Sequence, residues 1–245
     1  MLEAQHVTKA FGAFKAVDDA SVTVAQGEIL GLIGPNGAGK STFFNCLTGD
    51  LIPTSGTVLF EGTNVTNSPP EARARLGIAR TFQVPLTFET MTVLENVMIG
   101  ALLRHPDAKT ARAKALAVVE RVGLGALADS PAKSLGTPGR KRLEIARALA
   151  SEPKVLLLDE AMAGLTPAEV NTAIDLVRRI HGGGITLVIV EHIMEVIVSL
   201  ATRVVVFHQG KEIARGSPRE VTTNERVIEA YLGRRKARQM AGDKR

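Results

Sequence analysis

Residues 34–42 of this 245-residue chain read Gly34-Pro35-Asn36-Gly37-Ala38-Gly39-Lys40-Ser41-Thr42. No other stretch limits the possible fold as much. It satisfies the spacing G-x-x-x-x-G-K-[ST]. Before it runs Glu28-Ile29-Leu30-Gly31-Leu32-Ile33, an apolar run short enough for a buried strand. After it, Ser41 to Leu47 reads as the start of a helix. Strand, glycine loop and helix in this order form an anion cradle. Gly37 and Gly39 let the backbone turn tightly, so that successive N–H groups point inward at phosphates. The helix N-terminus adds the positive end of its dipole. In such a loop Lys40 reaches the β- and γ-phosphates and the Ser41 hydroxyl ligates Mg²⁺. The alternative is a glycine-rich turn that binds nothing, and the flanking strand and helix argue against it.

The second informative stretch is Lys154-Val155-Leu156-Leu157-Leu158-Asp159-Glu160. A continuous apolar run marks a parallel strand buried on both faces. Open α/β sheets bind their ligands at the carboxyl ends of such strands, where Asp159 and Glu160 fall. A buried carboxylate at Asp159 needs a partner, and Mg²⁺ would supply one. Glu160 could orient or deprotonate a water. A helix-capping acid pair is the alternative. A further run, Ile185 to Val190, ends in Glu191-His192. That places His192 at a strand end like Asp159's, as either a structural histidine or a γ-phosphate contact.

Composition narrows the class. Hydrophobic residues make up 45% and charged residues 22%, which excludes disorder as the default. No apolar run reaches the roughly 18 residues of a membrane-spanning helix, and Met1-Leu2-Glu3-Ala4-Gln5-His6 leads into a strand pattern rather than a secretory signal. The lone Cys46, in the helix after the loop, reads as a small buried residue in a reducing, cytoplasmic setting. The net charge of +5 resides entirely in 234–245, where Arg234, Arg235, Lys236, Arg238, Lys244 and Arg245 face only Asp243. With 1–233 neutral, a nucleic-acid-binding face is not expected. The tail is either a solvated terminus or a segment drawn to anionic lipid.

Along the chain, 2–8 and 16–24 alternate as strands. Between them Phe11 precedes Gly12 in a turn, placed to stack on a purine or to fill a core. Gly56 to Phe60 is a further strand, Pro69-Pro70-Glu71 opens a short helix, and Ile78 to Phe82 is a strand that stops before Val84-Pro85. Residues 92–104 and 107–122 carry apolar positions at helical spacing and form a helical insert. Pro131 to Gly139 reads as a loop and Arg140 to Ala150 as a helix. Thr166 as N-cap, Pro167 at N1 and Glu169 at N3 start a helix to Ile180. Val204 to Phe207 and Glu212 to Ala214 form a last pair around Gln209-Gly210.

Taken in order, Phe11, the loop 34–42, Gln83, the helix near Arg140, the strand Leu156 to Glu160 and His192 resemble the ATP-binding subunit of ABC transporters, over Phe11 to about Gly233. The resemblance implies an α/β P-loop NTPase fold: a core with a mostly parallel sheet (1–84 and 151–233), an N-terminal antiparallel β-subdomain and an inserted helical subdomain (85–150). Residues 1–233 would form a single ATPase domain, followed by the basic tail 234–245. It implies roles for Phe11 on adenine, for Gly34 to Thr42 on ATP, for Ser41, Gln83 and Asp159 on Mg²⁺, and for Glu160, His192 and Gln83 in hydrolysis.

Ala79-Arg80-Thr81-Phe82-Gln83, Met91 to Val97, Leu143 to Leu149, Ala163 to Glu169 and the ending Val227 to Gly233 are similar to the Liv-type ATPases of branched-chain and hydrophobic amino-acid importers, the LivG-like one in particular. That implies a second ATP-binding subunit, two transmembrane permeases and, through them, an extracytoplasmic substrate-binding protein. The subunit would sit on the inner face of the cell membrane.

One segment departs from the family. The usual Leu-Ser-Gly-Gly-Gln signature falls on Leu135-Gly136-Thr137-Pro138-Gly139. Gly136 lacks the serine hydroxyl and Pro138 lacks an N–H. A homodimer would then hold two weak sites, so the resemblance favours a non-identical second ATPase. Alternatives in the same superfamily are an ATPase for urea, for another small amide or acid, or for an exporter. A non-hydrolysing ATP-binding module is the alternative of a different class.

Overall fold

A computed structural model describes residues 1–83 and 86–232. The chain divides into two compact units. One comprises Met1–Pro69 and the chain from Val188 onward, and the other is Pro70–Leu187.

In the first unit, β1 (Leu2–Phe11) and β2 (Phe14–Val24) make an antiparallel hairpin whose register runs from Leu2 opposite Val24 to Phe11 opposite Phe14. Leu2, Ala4 and Val7 of β1 are buried, and register shifts interrupt the pairing beyond Ala4. Such bulges strengthen the twist of a two-stranded ribbon. The strands are longer than the alternation predicts because the ladder continues to the Gly12 turn. The sheet is completed in the order β2-β1-β4-β5 by β4 (Ser55–Phe60) and the two-residue β5 (Thr63–Asn64).

The second sheet of this unit carries the phosphate loop. β3 (Ile29–Ile33) is buried at every residue and lies parallel to β9 (Arg203–His208). β9 turns at Gln209-Gly210 into the antiparallel β10 (Lys211–Gly216). On the other side of β3 lies β8 (Thr186–Val190). Helix α1 (Lys40–Thr48) follows the loop and packs on the sheet, with the Phe43 and Phe207 rings 5.0 Å apart. Cys46 is buried in α1, as its type and place predict. Three helices, α7 (Met194–Leu200), α8 (Pro218–Thr223) and α9 (Glu225–Leu232), complete the unit. Val227 of α9 joins Ile33, Val204, Val206 and Val221 in one apolar cluster.

The second unit begins with α2 (Pro70–Leu76) and the parallel pair β6 (Ile78–Arg80) and β7 (Val155–Asp159). Between these strands run α3 (Val93–Leu102), α4 (Ala108–Arg121) and α5 (Thr137–Ala150), which contact one another and bury Val97, Ala101, Ala111, Ala115 and Leu143. α6 (Pro167–Gly182) follows β7. Its N-terminus is the predicted capping box: Thr166 accepts from the Glu169 N–H while the Glu169 carboxylate accepts from the Thr166 N–H.

Several boundaries differ from the sequence reading. α5 starts at Thr137, three residues before Arg140, because Pro138 sits in the first turn where no intrahelical donor is needed. β6 ends at Arg80 rather than Phe82. Helices α7, α8 and α9 and strand β5 go unread. Residues 233–245, and with them the basic tail and its lipid reading, lie outside the described residues. Among the described residues no helix is long and apolar enough to cross a membrane.

Candidate functional site

The phosphate loop leaves β3 at Gly34, whose φ is +152°. A Cβ there would stand 2.2 Å from the Phe207 carbonyl oxygen. At Gly39, φ is +100° and a Cβ would stand 2.2 Å from the Ala16 carbonyl oxygen. Both glycines are therefore required by contact as well as by conformation. Gly37, at φ +76°, has open space on its Cβ side, as a loop that admits a ligand needs. The loop is braced from outside: the Gly210 N–H donates to Ala38 O at 2.9 Å, and the Asp18 N–H donates to Gly210 O at 2.8 Å. Lys40 is buried, and its Nζ donates to Gly34 O at 2.7 Å and to Pro35 O at 3.2 Å. Ser41 is exposed at the start of α1, and Asn36 and Gly37 form the exposed tip.

Two other predicted residues lie in the same unit. Phe11 closes the β1–β2 hairpin and is 52% exposed, so it fills no core; the Lys9 ammonium stands 5.3 Å from its ring centre. His192 is exposed just beyond the end of β8.

The second unit places Gln83, Asp159 and Glu160 together at the end of β7. Asp159 is buried, 6% exposed. Its Oδ2 lies 3.3 Å from Arg80 Nη2, and its N–H donates to Thr81 Oγ1 at 3.1 Å. Besides the Mg²⁺ expected as a partner for Asp159, the structure places the Arg80 guanidinium there, itself stacked 4.4 Å from the centre of the Phe82 ring. Glu160 holds a left-handed backbone at φ +45°. In a residue with a side chain this is sparsely populated and characteristic of functional sites. Gln83 Nε2 donates to Glu160 Oε2 at 2.8 Å.

Two residues of α5, Lys141 and Glu144, also reach this corner. Lys141 Nζ donates to Glu160 O at 3.1 Å. Glu144, 6% exposed, accepts from the Phe82 N–H at 2.8 Å. Burial pushes the Glu144 carboxyl up to about 7, against the pull of the Phe82 N–H, Arg147 and Lys141. Sequence reasoning misses Arg80, Lys141 and Glu144. Arg80 and Glu144 are single charges among mostly apolar neighbours, whereas Lys141 lies in the basic run Arg140-Lys141-Arg142 and has no local signal that sets it apart.

Of the residues aligned with the signature, Thr137, Pro138 and Gly139 lie inside α5 rather than in the expected loop. Gly136 is the N-cap and offers no side-chain acceptor, and Pro138 occupies the first turn.

Among the described residues no group of three or more His, Cys, Asp or Glu side chains converges to hold a metal. The predicted donors Ser41, Gln83 and Asp159 are instead a hydroxyl, an amide oxygen and a carboxylate. This is a hard-oxygen set of the kind Mg²⁺ takes alongside phosphate oxygens. The bond to Glu160 uses the Gln83 amide nitrogen and not its oxygen.

A parallel-stranded α/β core with a braced phosphate loop after its first buried strand defines a P-loop nucleotide-binding cassette. Comparison with known proteins agrees. Residues 17–163 match the ABC transporter family, and residues 211–237 match the family described as branched-chain amino acid ATP-binding cassette transporter. The chain belongs to the ABC transporter ATP-binding family.

The relatives include the high-affinity branched-chain amino acid transport ATP-binding protein LivG of Salmonella typhimurium. It is 38% identical over 239 residues, 91% of this chain and 94% of LivG. BraF of Pseudomonas aeruginosa, described in the same words, is 34% identical over 95% of this chain and 98% of its own length. Among solved structures, the ADP conformation of MJ1267, an ATP-binding cassette of an ABC transporter, superposes with a TM-score of 0.87 at 34% identity, covering 95% of this chain and 98% of that one. A nucleotide-free ATP-binding cassette from an ABC transporter gives 0.86 at 33% identity, covering 94% and 98%.

Proposed function

We propose that this chain is the ATP-hydrolysing subunit of an importer for branched-chain or other hydrophobic amino acids, seated on the inner face of the membrane through two permeases. The permeases would in turn take substrate from an extracytoplasmic binding protein. The observation that carries hydrolysis is the Gln83–Glu160 pair at the end of a buried strand, with Glu160 held at φ +45°. The substrate class rests on LivG and BraF, relatives over more than nine-tenths of this chain. The functional division in this reading is a core (1–84 and 151–233) and a helical subdomain (85–150).

In this reading Gly34 to Thr42 wrap the phosphates of ATP, and Phe11 stacks on its adenine. Lys40 exchanges the carbonyls of Gly34 and Pro35 for β- and γ-phosphate oxygens. Ser41, Asp159 and Gln83 would hold Mg²⁺, which when bound offsets the charge that grows on those oxygens. Glu160 orients the attacking water and accepts its proton, and His192 donates a hydrogen bond to the γ-phosphate. The second ATP-binding subunit is non-identical. Gly136 and Pro138 remove a hydroxyl and an N–H from the segment that would grip the partner's γ-phosphate, each such donor to a charged group being worth roughly 1.5–3 kcal/mol.

Reconstitution into vesicles with the permeases, the binding protein and the second ATPase tests this. ATP-dependent uptake of labelled leucine, isoleucine or valine, lost with Glu160→Gln, is the expected result. Uptake of urea alone, or ATP-driven efflux, would overturn the substrate assignment.

A further inference from the structure

Helix α5 carries two of its charged side chains to the hydrolytic corner rather than to water. Lys141 and Glu144 are three positions apart and so share a face, and both are buried. Lys141 Nζ holds the main-chain carbonyl of Glu160 at 3.1 Å, and Glu144 holds the main-chain N–H of Phe82 at 2.8 Å, one residue before Gln83. Gln83 and Glu160 are in turn joined through their side chains at 2.8 Å. The three bonds close a ring: α5 to Glu160, Glu160 to Gln83, and through Phe82 back to α5.

The next helical turn continues the grip. The Arg147 guanidinium donates to Leu86 O and stands 5.0 Å from the centre of the Phe88 ring. Arg80, Glu144 and Arg147 line a shallow cavity with Phe82, Ile99 and Ala148. The N-terminus of this same helix is Gly136-Thr137-Pro138-Gly139.

We propose that Lys141 and Glu144 are positioning residues that fix the Gln83–Glu160 pair to helix α5, so that a displacement of the 136–139 segment at the start of that helix is passed to the hydrolytic carboxylate of the same chain. The inference rests on Glu160 as the hydrolytic group. It adds a mechanical route by which the segment facing a partner's nucleotide governs this chain's own hydrolysis. A buried Glu→Gln change keeps an acceptor for the Phe82 N–H and a Lys→Arg change keeps a donor for Glu160 O, whereas Glu144→Leu and Lys141→Met preserve bulk and remove the bond.

The test is steady-state ATPase of the assembled complex at a temperature well below unfolding, with Glu160→Gln as reference. Glu144→Leu and Lys141→Met are expected to lower kcat by about tenfold while KM for ATP stays within about twofold, because the phosphate loop is untouched. Glu144→Gln and Lys141→Arg are expected to retain more than about half of wild-type kcat. Hydrogen exchange should show the Phe82 amide opening in Glu144→Leu and staying protected in Glu144→Gln. Wild-type kcat in both bond-removing variants would overturn the proposal. So would a rise in KM with kcat intact. If Glu144→Leu does not fold, Glu144→Gln decides, and a tenfold loss of kcat there would overturn it too. Full hydrolysis by Glu160→Gln would instead show that the underlying site reading has failed.

Discussion

Gly39 is fixed from two sides, by a φ of +100° and by the Ala16 carbonyl 2.2 Å from where a Cβ would stand. Gly39→Ala is therefore expected to cost about 2–3 kcal/mol and to weaken ATP binding by more than about tenfold. Denaturant unfolding and calorimetric titration would show both, and wild-type affinity in the variant would contradict the account of the loop.

Glu144 gives a pH signature. Burial raises its carboxyl from 4.5 to about 7, so the folded chain binds a proton that the unfolded chain has already released. The stability it lends is full below the unfolded value and is lost as pH rises toward about 7. The stability of wild type relative to Glu144→Gln should thus fall between about pH 4.5 and 7 and level off above. Urea titrations across that range would reveal a flat difference if Glu144 were not shielded. Neither Glu144 nor Arg80 is legible from sequence as a site residue. Glu144's partner lies 62 positions away and Arg80's 79, so the fold must bring them together before they acquire a role. The loop 34–42 and Asp159-Glu160 are legible because their chemistry is local.

Among the elements, a helix is legible where a terminal signal is followed by enough apolar residues to show a period. α6 begins where Thr166, Pro167 and Glu169 place it. Thr166→Ala should cost about 1 kcal/mol, visible as a lower midpoint in thermal unfolding. The Glu169 carboxyl, held below its usual range by the Thr166 N–H and hydroxyl, adds stability that is lost as pH falls through its folded value. α8 carries a comparable signal, Ser217-Pro218-Arg219-Glu220, with a complete capping box. Its six residues are too few for the apolar period that makes a helix visible in sequence. α7 opens at Ile193, which has no side-chain acceptor to announce it. α5 opens at Gly136, whose replacement by serine should raise stability by only a few tenths of a kcal/mol. If the missing hydroxyl is what impairs this segment, Gly136→Ser should raise the ATPase rate of the chain alone. An unchanged rate would assign the defect to Pro138.

At the scale of the molecule, the α/β core, the antiparallel N-terminal strands and the helical insert could all be read from the order of motifs, because buried parallel strands appear as continuous apolar runs. The two compact units could not be read so directly, since their limits at Pro69 and Leu187 follow from contacts rather than from any change in composition. Lys40 and Ser41 belong to one unit, and Asp159 and Glu160 to the other. The proposed function gives this chain a phosphate loop and a hydrolytic pair of its own, and makes 136–139 the weak segment offered to a partner. The direct test is the ATPase rate of the purified chain alone, then with each candidate second ATPase, and with Glu160→Gln in this chain. The account predicts a low rate alone, a marked rise with one partner, and loss of that rise in the variant. Full, cooperative turnover by the chain alone would contradict it.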